Sequence, residues 1–124
     1  MPEERISFDE YGRPFVRVKV CNPEKKVCVE EDFLIDTGAN ALLIPDDLAK
    51  KLDLNVMRKA FIRALNEDRL EAGLGLVELH FAGKTFLYNA AVMSTKCPPI
   101  IGADVIRATR CKIDLAEGKL VCEE

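Results

Sequence analysis

The stretch FLIDTGANALLIP, residues 33–45, sets one carboxylate, Asp36, directly after Phe33, Leu34 and Ile35 and two residues before Gly38. A charge beside an apolar strand costs on the order of several kcal/mol unless something compensates it. The bland use of such a residue is an Asx-type turn, in which the carboxylate accepts from backbone amides just downstream. The chemical use is acid–base work, which needs a carboxylate presented to a substrate. Context favours more than a turn. Asp36-Thr37-Gly38 lies between an apolar strand and the apolar run ALLI, and a second apolar-apolar-Gly element, Ile100-Ile101-Gly102, recurs downstream and leads into a helical segment. Metal chemistry is not expected: there are five cysteines (Cys21, Cys28, Cys97, Cys111, Cys122) but no C-x-x-C pair, and His80 is the single histidine.

The elements that must position Asp36 are short. PFVRVKVC alternates Val16, Val18 and Val20 against Arg17 and Lys19, which predicts a half-buried strand. NPEKK supplies turn residues, and VCVEEDFLI reads as the second strand of a hairpin. ALLI is a short buried strand. PDDLAKKL reads as a helix with Pro45 in its first turn, Asp46 and Asp47 at the positive end and Lys50 and Lys51 at the negative end. AFIRAL and RLEAGLGLVELHFA are strand-like around a turn at Asn66-Glu67-Asp68, and Gly73 and Gly75 predict a bulge or bend in the second run. KTFLYNAAVM is another strand, KCPP a loop, ADVIRATR a short helix, and CKIDL with KLVC a closing hairpin around Glu117-Gly118. His80 falls on the charged face of LVELHF and reads as a surface residue. Cys21 and Cys28, and likewise Cys111 and Cys122, flank turns and could face each other, but free thiols are the default for a cytosolic chain.

The 124 residues make one domain, mostly β, with one or two short helices. The net charge is −3 with acids and bases interspersed, so no basic stripe points to nucleic acid. No window is long and apolar enough for a membrane span, and the start, MPEERISFDE, has no apolar leader core. These features predict a soluble, cytoplasmic protein.

Taken in order, LIDTGAN (34–40), ALLIP, the hairpin AFIRALNEDRLEAGLG (60–75), IIGADVI (100–106) and KIDLAEGKL (112–120) resemble the retropepsin-like aspartic proteases: the retroviral enzymes, the retropepsin domain of ubiquitin-shuttle proteins and prokaryotic relatives. The resemblance covers 34–121, with an amino-terminal hairpin, 5–32, outside it. It implies a closed acid-protease β-barrel with one lobe per chain. It implies an aspartic endopeptidase in which Asp36 pairs with Asp36 of a second copy, because no second D-T-G or D-S-G exists here. The two carboxylates share one proton, so one activates water while the other polarises the scissile carbonyl. By the same resemblance Thr37 locks the two turns together. Gly38 and the backbone around Asn40 hold an extended peptide, and the hairpin with Asn66 at its tip is the flap. Leu34, Leu43, Pro98 and Ile100 line side-chain pockets that prefer apolar residues. The implied partners are a second copy and a peptide or unfolded-protein substrate, with no nucleic acid, membrane, cofactor or metal.

Three departures bear on activity. Many retroviral members carry Asp where this chain has Asn40 and Arg where it has Ala103, an ion pair lost here from both ends. The flap has no glycine cluster at its tip and carries Arg63, Glu67, Asp68 and Arg69. The 5–32 hairpin does not match the retroviral dimerisation strands. These departures motivate a second reading, a peptide-binding or dimerisation module that keeps the barrel but cleaves weakly.

Overall fold

The computed structural model describes residues 2–56, 58–63, 69–94 and 96–124, with the backbone alone described for 58–63 and 69–71. The expected Asn66-Glu67-Asp68 turn lies outside the described residues. Ten strands and two short helices follow in the order β1 (Glu3–Phe8), β2 (Pro14–Cys21), β3 (Cys28–Ile35), β4 (Leu43–Pro45), α1 (Asp46–Lys51), β5 (Arg58–Arg63), β6 (Arg69–Phe81), β7 (Lys84–Met93), β8 (Ile100–Ile101), α2 (Ala103–Ala108), β9 (Cys111–Asp114) and β10 (Lys119–Cys122).

Strand pairing closes a ring. β2 pairs with β3, β3 with β8, β8 with β4, β4 with β7, β7 with β6, and β6 returns to β2. The result is a six-stranded closed β-barrel, which leaves none of these strands with a free edge. Alternation along each strand fills it. Val16, Val18 and Val20 of β2, Phe33 and Ile35 of β3, Ile44 of β4, Val77 and Leu79 of β6, and Ile101 of β8 all point inward and are buried. Leu48 and Leu52, on and just after α1, cap the same core.

Two extensions leave the barrel. β1 pairs with β2 through Ile6–Phe8 and with β10 through Glu3–Arg5, so the amino-terminal segment is a three-stranded meander stitched to the carboxyl-terminal hairpin. At the other side, β6 pairs with β7 only from Gly73 onward, whereas its pairing with β5 begins at Arg69. Among the described residues, the outer rungs of the β5–β6 hairpin therefore have no other strand paired with them, and the hairpin extends beyond the barrel as an arm.

Three expectations change. No bulge interrupts β6: the register runs without a break from Gly73↔Val92 to Phe81↔Lys84. A Cβ at Gly75 would make only ordinary contacts, 3.6 Å from Leu54 and 3.7 Å from Val92, so neither a break nor crowding calls for glycine there. Pro45 ends β4 and stands at the N-cap of α1, with extended backbone, instead of inside the first helical turn. Free thiols are not the state of four cysteines, because Cys21–Cys28 and Cys111–Cys122 are disulfides and Cys97 alone is free. Both bridges join residues directly opposite in an antiparallel register, where side chains share a face and already touch. Among the described residues, no helix is long and apolar enough to cross a membrane.

Phe33 sits at the register position opposite Val16 and is fully buried. Phe33→Ala is expected to destabilise the fold by about 3–5 kcal/mol, the usual cost of an aromatic cavity. Urea denaturation followed by circular dichroism measures it.

Candidate active site

Asp36 follows the last residue of β3, where the chain leaves the barrel wall. Its backbone N–H donates to the Ile101 carbonyl at 3.0 Å, and its own carbonyl accepts from Ala39 N–H at 3.0 Å, closing a tight turn. The Gly38 N–H donates to Asp36 Oδ1 at 3.0 Å, so a backbone donor steadies the carboxylate. Asp36 is half-buried, while Thr37, Gly38 and Asn40 are exposed. A Cβ on Gly38 would lie 3.2 Å from Asp36 Oδ1, which favours glycine beside the carboxylate.

The turn is held by the segment around β8. β8 lies between β3 and β4, parallel to the first and antiparallel to the second. Leu34 N–H donates to Pro99 O at 2.8 Å. Beyond β8, Ala103 N–H donates to Ala39 O at 2.8 Å and Asp104 N–H to Asn40 O at 3.1 Å. The first free amides of α2 are thus satisfied by the carbonyls of the Asp36 loop. Such proximity leaves no space for a side chain at Gly102, where a Cβ would meet Ala41 O at 2.5 Å and Ala39 O at 2.6 Å. This contact explains the recurring apolar-apolar-Gly element. It also joins the segments of Asn40 and Ala103 through their backbones, where the expected side-chain ion pair is missing.

Register also assembles an apolar surface. Leu34 lies opposite Ile100, and Ile100 opposite Leu43, so all three side chains share one face of adjacent strands and are half-buried. Their neighbours Ile35, Ile101 and Ile44 point into the core.

No protein-family model and no curated protein matches this sequence. Solved structures do. EIAV protease complexed with the inhibitor HBY-793 superposes with a TM-score of 0.66 at 19% identity, covering 87% of this chain and 98% of that one. A retropepsin-like aspartic protease from Rickettsia conorii superposes with a TM-score of 0.67 at 20% identity, covering 95% of this chain and 87% of that one. The fold is that of the retropepsin-like aspartic proteases. At these identities the likeness is one of architecture.

Within this retropepsin fold the residues expected at the site divide. Asp36, Thr37 and Gly38 form one turn, and Leu34, Leu43 and Ile100 form one apolar face beside it. Asn40 belongs to the same loop, with its carbonyl engaged by α2. Pro98 lines a shallow groove with Phe15, Pro45, Leu48 and Pro99. Asn66 lies outside the described residues. A further depression is lined by Asn22, Lys25, Leu54, Leu76 and Asn89, with Asp36 not among its walls. A cleft shared between two copies need not be concave in either one alone, so that depression is a poor guide to the site. Sequence reasoning missed the part of the Ala39 and Ala41 carbonyls. The IIG element signalled an unusual glycine, but only the folded chain shows what approaches it.

α2 is also coupled to β7. The half-buried Tyr88 phenol is raised above its ordinary value of 10.0, first by desolvation and then by the nearby Asp104 carboxylate. The native state then keeps a proton that the unfolded chain loses near pH 10, so stability falls as pH rises from that point. Tyr88→Phe is expected to flatten the fall of melting temperature above about pH 10, read against wild type across an alkaline series.

Gly102→Ala is expected to destabilise the protein by about 1–3 kcal/mol, since the added methyl meets backbone rather than a yielding side chain. Thermal melts measure the loss. Amide chemical-shift changes at Gly38–Asn40 would show that the strain reaches the Asp36 turn.

Proposed function

We propose that the chain is an aspartic endopeptidase that acts as a homodimer, each copy contributing Asp36 to one catalytic pair. One observation carries this reading. A single half-buried carboxylate, steadied by the Gly38 amide, stands at the rim of an exposed turn in a fold shared with two aspartic proteases. One such carboxylate is half of the machinery, and a two-fold axis beside Thr37 and Gly38 would supply the other half.

With the two carboxylates adjacent, one shared proton leaves a single negative charge. The ionised carboxylate takes a proton from water, and the oxygen forms a bond to the scissile carbonyl carbon. The protonated partner gives its proton to the carbonyl oxygen. The tetrahedral intermediate, now a gem-diol, collapses as the C–N bond breaks: the carboxyl that holds the water proton gives it to the nitrogen, and the carboxylate takes a proton from a diol hydroxyl as the C=O bond re-forms, which restores the pair with one shared proton. An extended peptide would add as a strand along the backbone of Gly38 and Asn40. Leu34, Leu43 and Ile100 favour apolar residues beside the cut, and the β5–β6 arm would fold over the peptide and exclude water. No cofactor takes part in this scheme.

The test is cleavage of a mixed peptide library from acidic to neutral pH, with and without pepstatin, alongside sedimentation of the same samples. Cleavage next to apolar residues is expected, reduced by at least about a thousandfold in Asp36→Asn, as befits loss of an acid–base group. Specific activity should fall on dilution as the dimer dissociates. Cleavage indifferent to Asp36→Asn, or a strict monomer at every concentration, would overturn the proposal. Peptide bound but uncleaved would favour the binding-module reading.

A further inference from the structure

At the far end of β3 from Asp36, three adjacent strands bring metal-binding side chains to one spot on the outer wall. Cys21, the last residue of β2, lies opposite Cys28 of β3 on one side and opposite Glu78 of β6 on the other. His80 is two residues beyond Glu78 and so shares its face. The Cys21 sulfur, a Glu78 carboxylate oxygen and a His80 ring nitrogen all lie within 4.8 Å of one another. Cys21 is 3% exposed, the Glu78 and His80 side chains are each 31% exposed, and Cys28 is exposed. The cluster is walled on the protein side and open to solvent.

His80 is held for such a role. Its Nε2 is 2.5 Å from Glu78 Oε1, and its Nδ1 is 3.1 Å from Thr85 Oγ1. In the metal-free state Nε2–H donates to the Glu78 carboxylate; a cation entering between the two would displace that proton, and Nδ1–H would then donate to the Thr85 hydroxyl, the arrangement by which outer partners orient metal-bound histidines. In the disulfide form, Cys21 and Cys28 are bonded to each other and offer no thiolate. Glu78 and His80 then remain as two ligands.

We propose that reduction of the Cys21–Cys28 disulfide converts this patch into a four-ligand site, Cys21, Cys28, Glu78 and His80, for a zinc-class divalent cation. The reductant is a dithiol. The S–S bond breaks and accepts two electrons and two protons, the dithiol becomes a disulfide, and cation binding releases both thiol protons to solvent. Two thiolates, an imidazole and a carboxylate suit zinc better than calcium or magnesium. Bonds of about 2.0–2.3 Å place tetrahedral ligand atoms roughly 3.3–3.7 Å apart; the Cys21, Glu78 and His80 atoms, already within 4.8 Å of one another, would draw in, and the Cys28 sulfur would separate from Cys21 Sγ once their bond is broken. Lys19, opposite His80, is an adverse neighbour in register, and Glu30 lies opposite Lys19 to offset it. The metal would tie β3, β2 and β6 together when the covalent tie is lost. Cys111–Cys122 differs, because the groove beside Cys111 is lined by Arg107, Arg110 and Lys112, cations that disfavour a metal.

Anaerobic titration of the phosphine-reduced protein with Co²⁺, followed by Zn²⁺ displacement, tests the site. One equivalent of Co²⁺ is expected to give thiolate-to-cobalt charge-transfer absorption and tetrahedral visible bands, both absent in the oxidised protein. The tetrahedral bands should disappear in His80→Ala, which leaves the disulfide intact and can first be checked for folding in the oxidised state. Thr85→Val should weaken Zn²⁺ binding by about ten- to a hundredfold. Binding should survive in Cys111→Ser/Cys122→Ser and in Asp36→Asn, which separates this site from the proposed catalysis. Zn²⁺ should raise the melting temperature of reduced wild type but not of His80→Ala. The proposal is overturned if reduced wild type shows no thiolate absorption, if His80→Ala matches it, or if reduction unfolds the chain and Zn²⁺ does not restore it.

Discussion

The Asp36 turn depends on a backbone clamp between two loops distant in sequence. Asp36 N–H reaches Ile101 O, while Ala39 O and Asn40 O receive the first amides of α2. The clamp closes because Gly102 has no side chain to hold the loops apart. The groups of Asp36, Ala39, Ile101 and Ala103 belong to buried or half-buried residues, where a polar group costs more unpaired than it gains paired. The arrangement therefore has little freedom to drift. A carboxylate at the end of a lone strand would wag with that strand, whereas here it is fixed to the barrel wall and to a helix at once.

The closed barrel makes the clamp possible. β8 is only two residues long, yet it is parallel to β3 and antiparallel to β4. So short a strand could not persist on an open edge. Between two neighbours, with Ile101 buried in the core, it becomes the rigid strut from which Gly102 and α2 hang. The same register that sends Ile35, Ile101 and Ile44 inward sends Leu34, Ile100 and Leu43 to the opposite side. The core and the apolar surface beside Asp36 are thus two faces of one set of strands.

Much of this was legible from local pattern. The alternation of Val16, Val18 and Val20, the charge order along α1 and the turn at Glu117-Gly118 are properties of neighbouring residues, and the elements formed where they predicted. The ordered motifs from Leu34 to Val121 pointed to the right architecture. The misses were non-local. Gly73 and Gly75 suggested a break in β6, but pairing with β7 runs straight through both, and that pairing cannot be read from the residues around position 75. The nearness of Cys21, Glu78 and His80 was likewise invisible in the sequence, because strand pairing, not a short motif, brings them together.

By itself, the sequence determined the alternating strands, the two short helices, the single D-T-G and the absence of a second one, since each follows from residue type and local order. Tertiary structure alone decided which carbonyls crowd Gly102, which cysteines become bonded partners and which apolar side chains stand beside Asp36. Those outcomes depend on the register between strands far apart in the chain, and register is set by how the whole barrel closes rather than by any one segment.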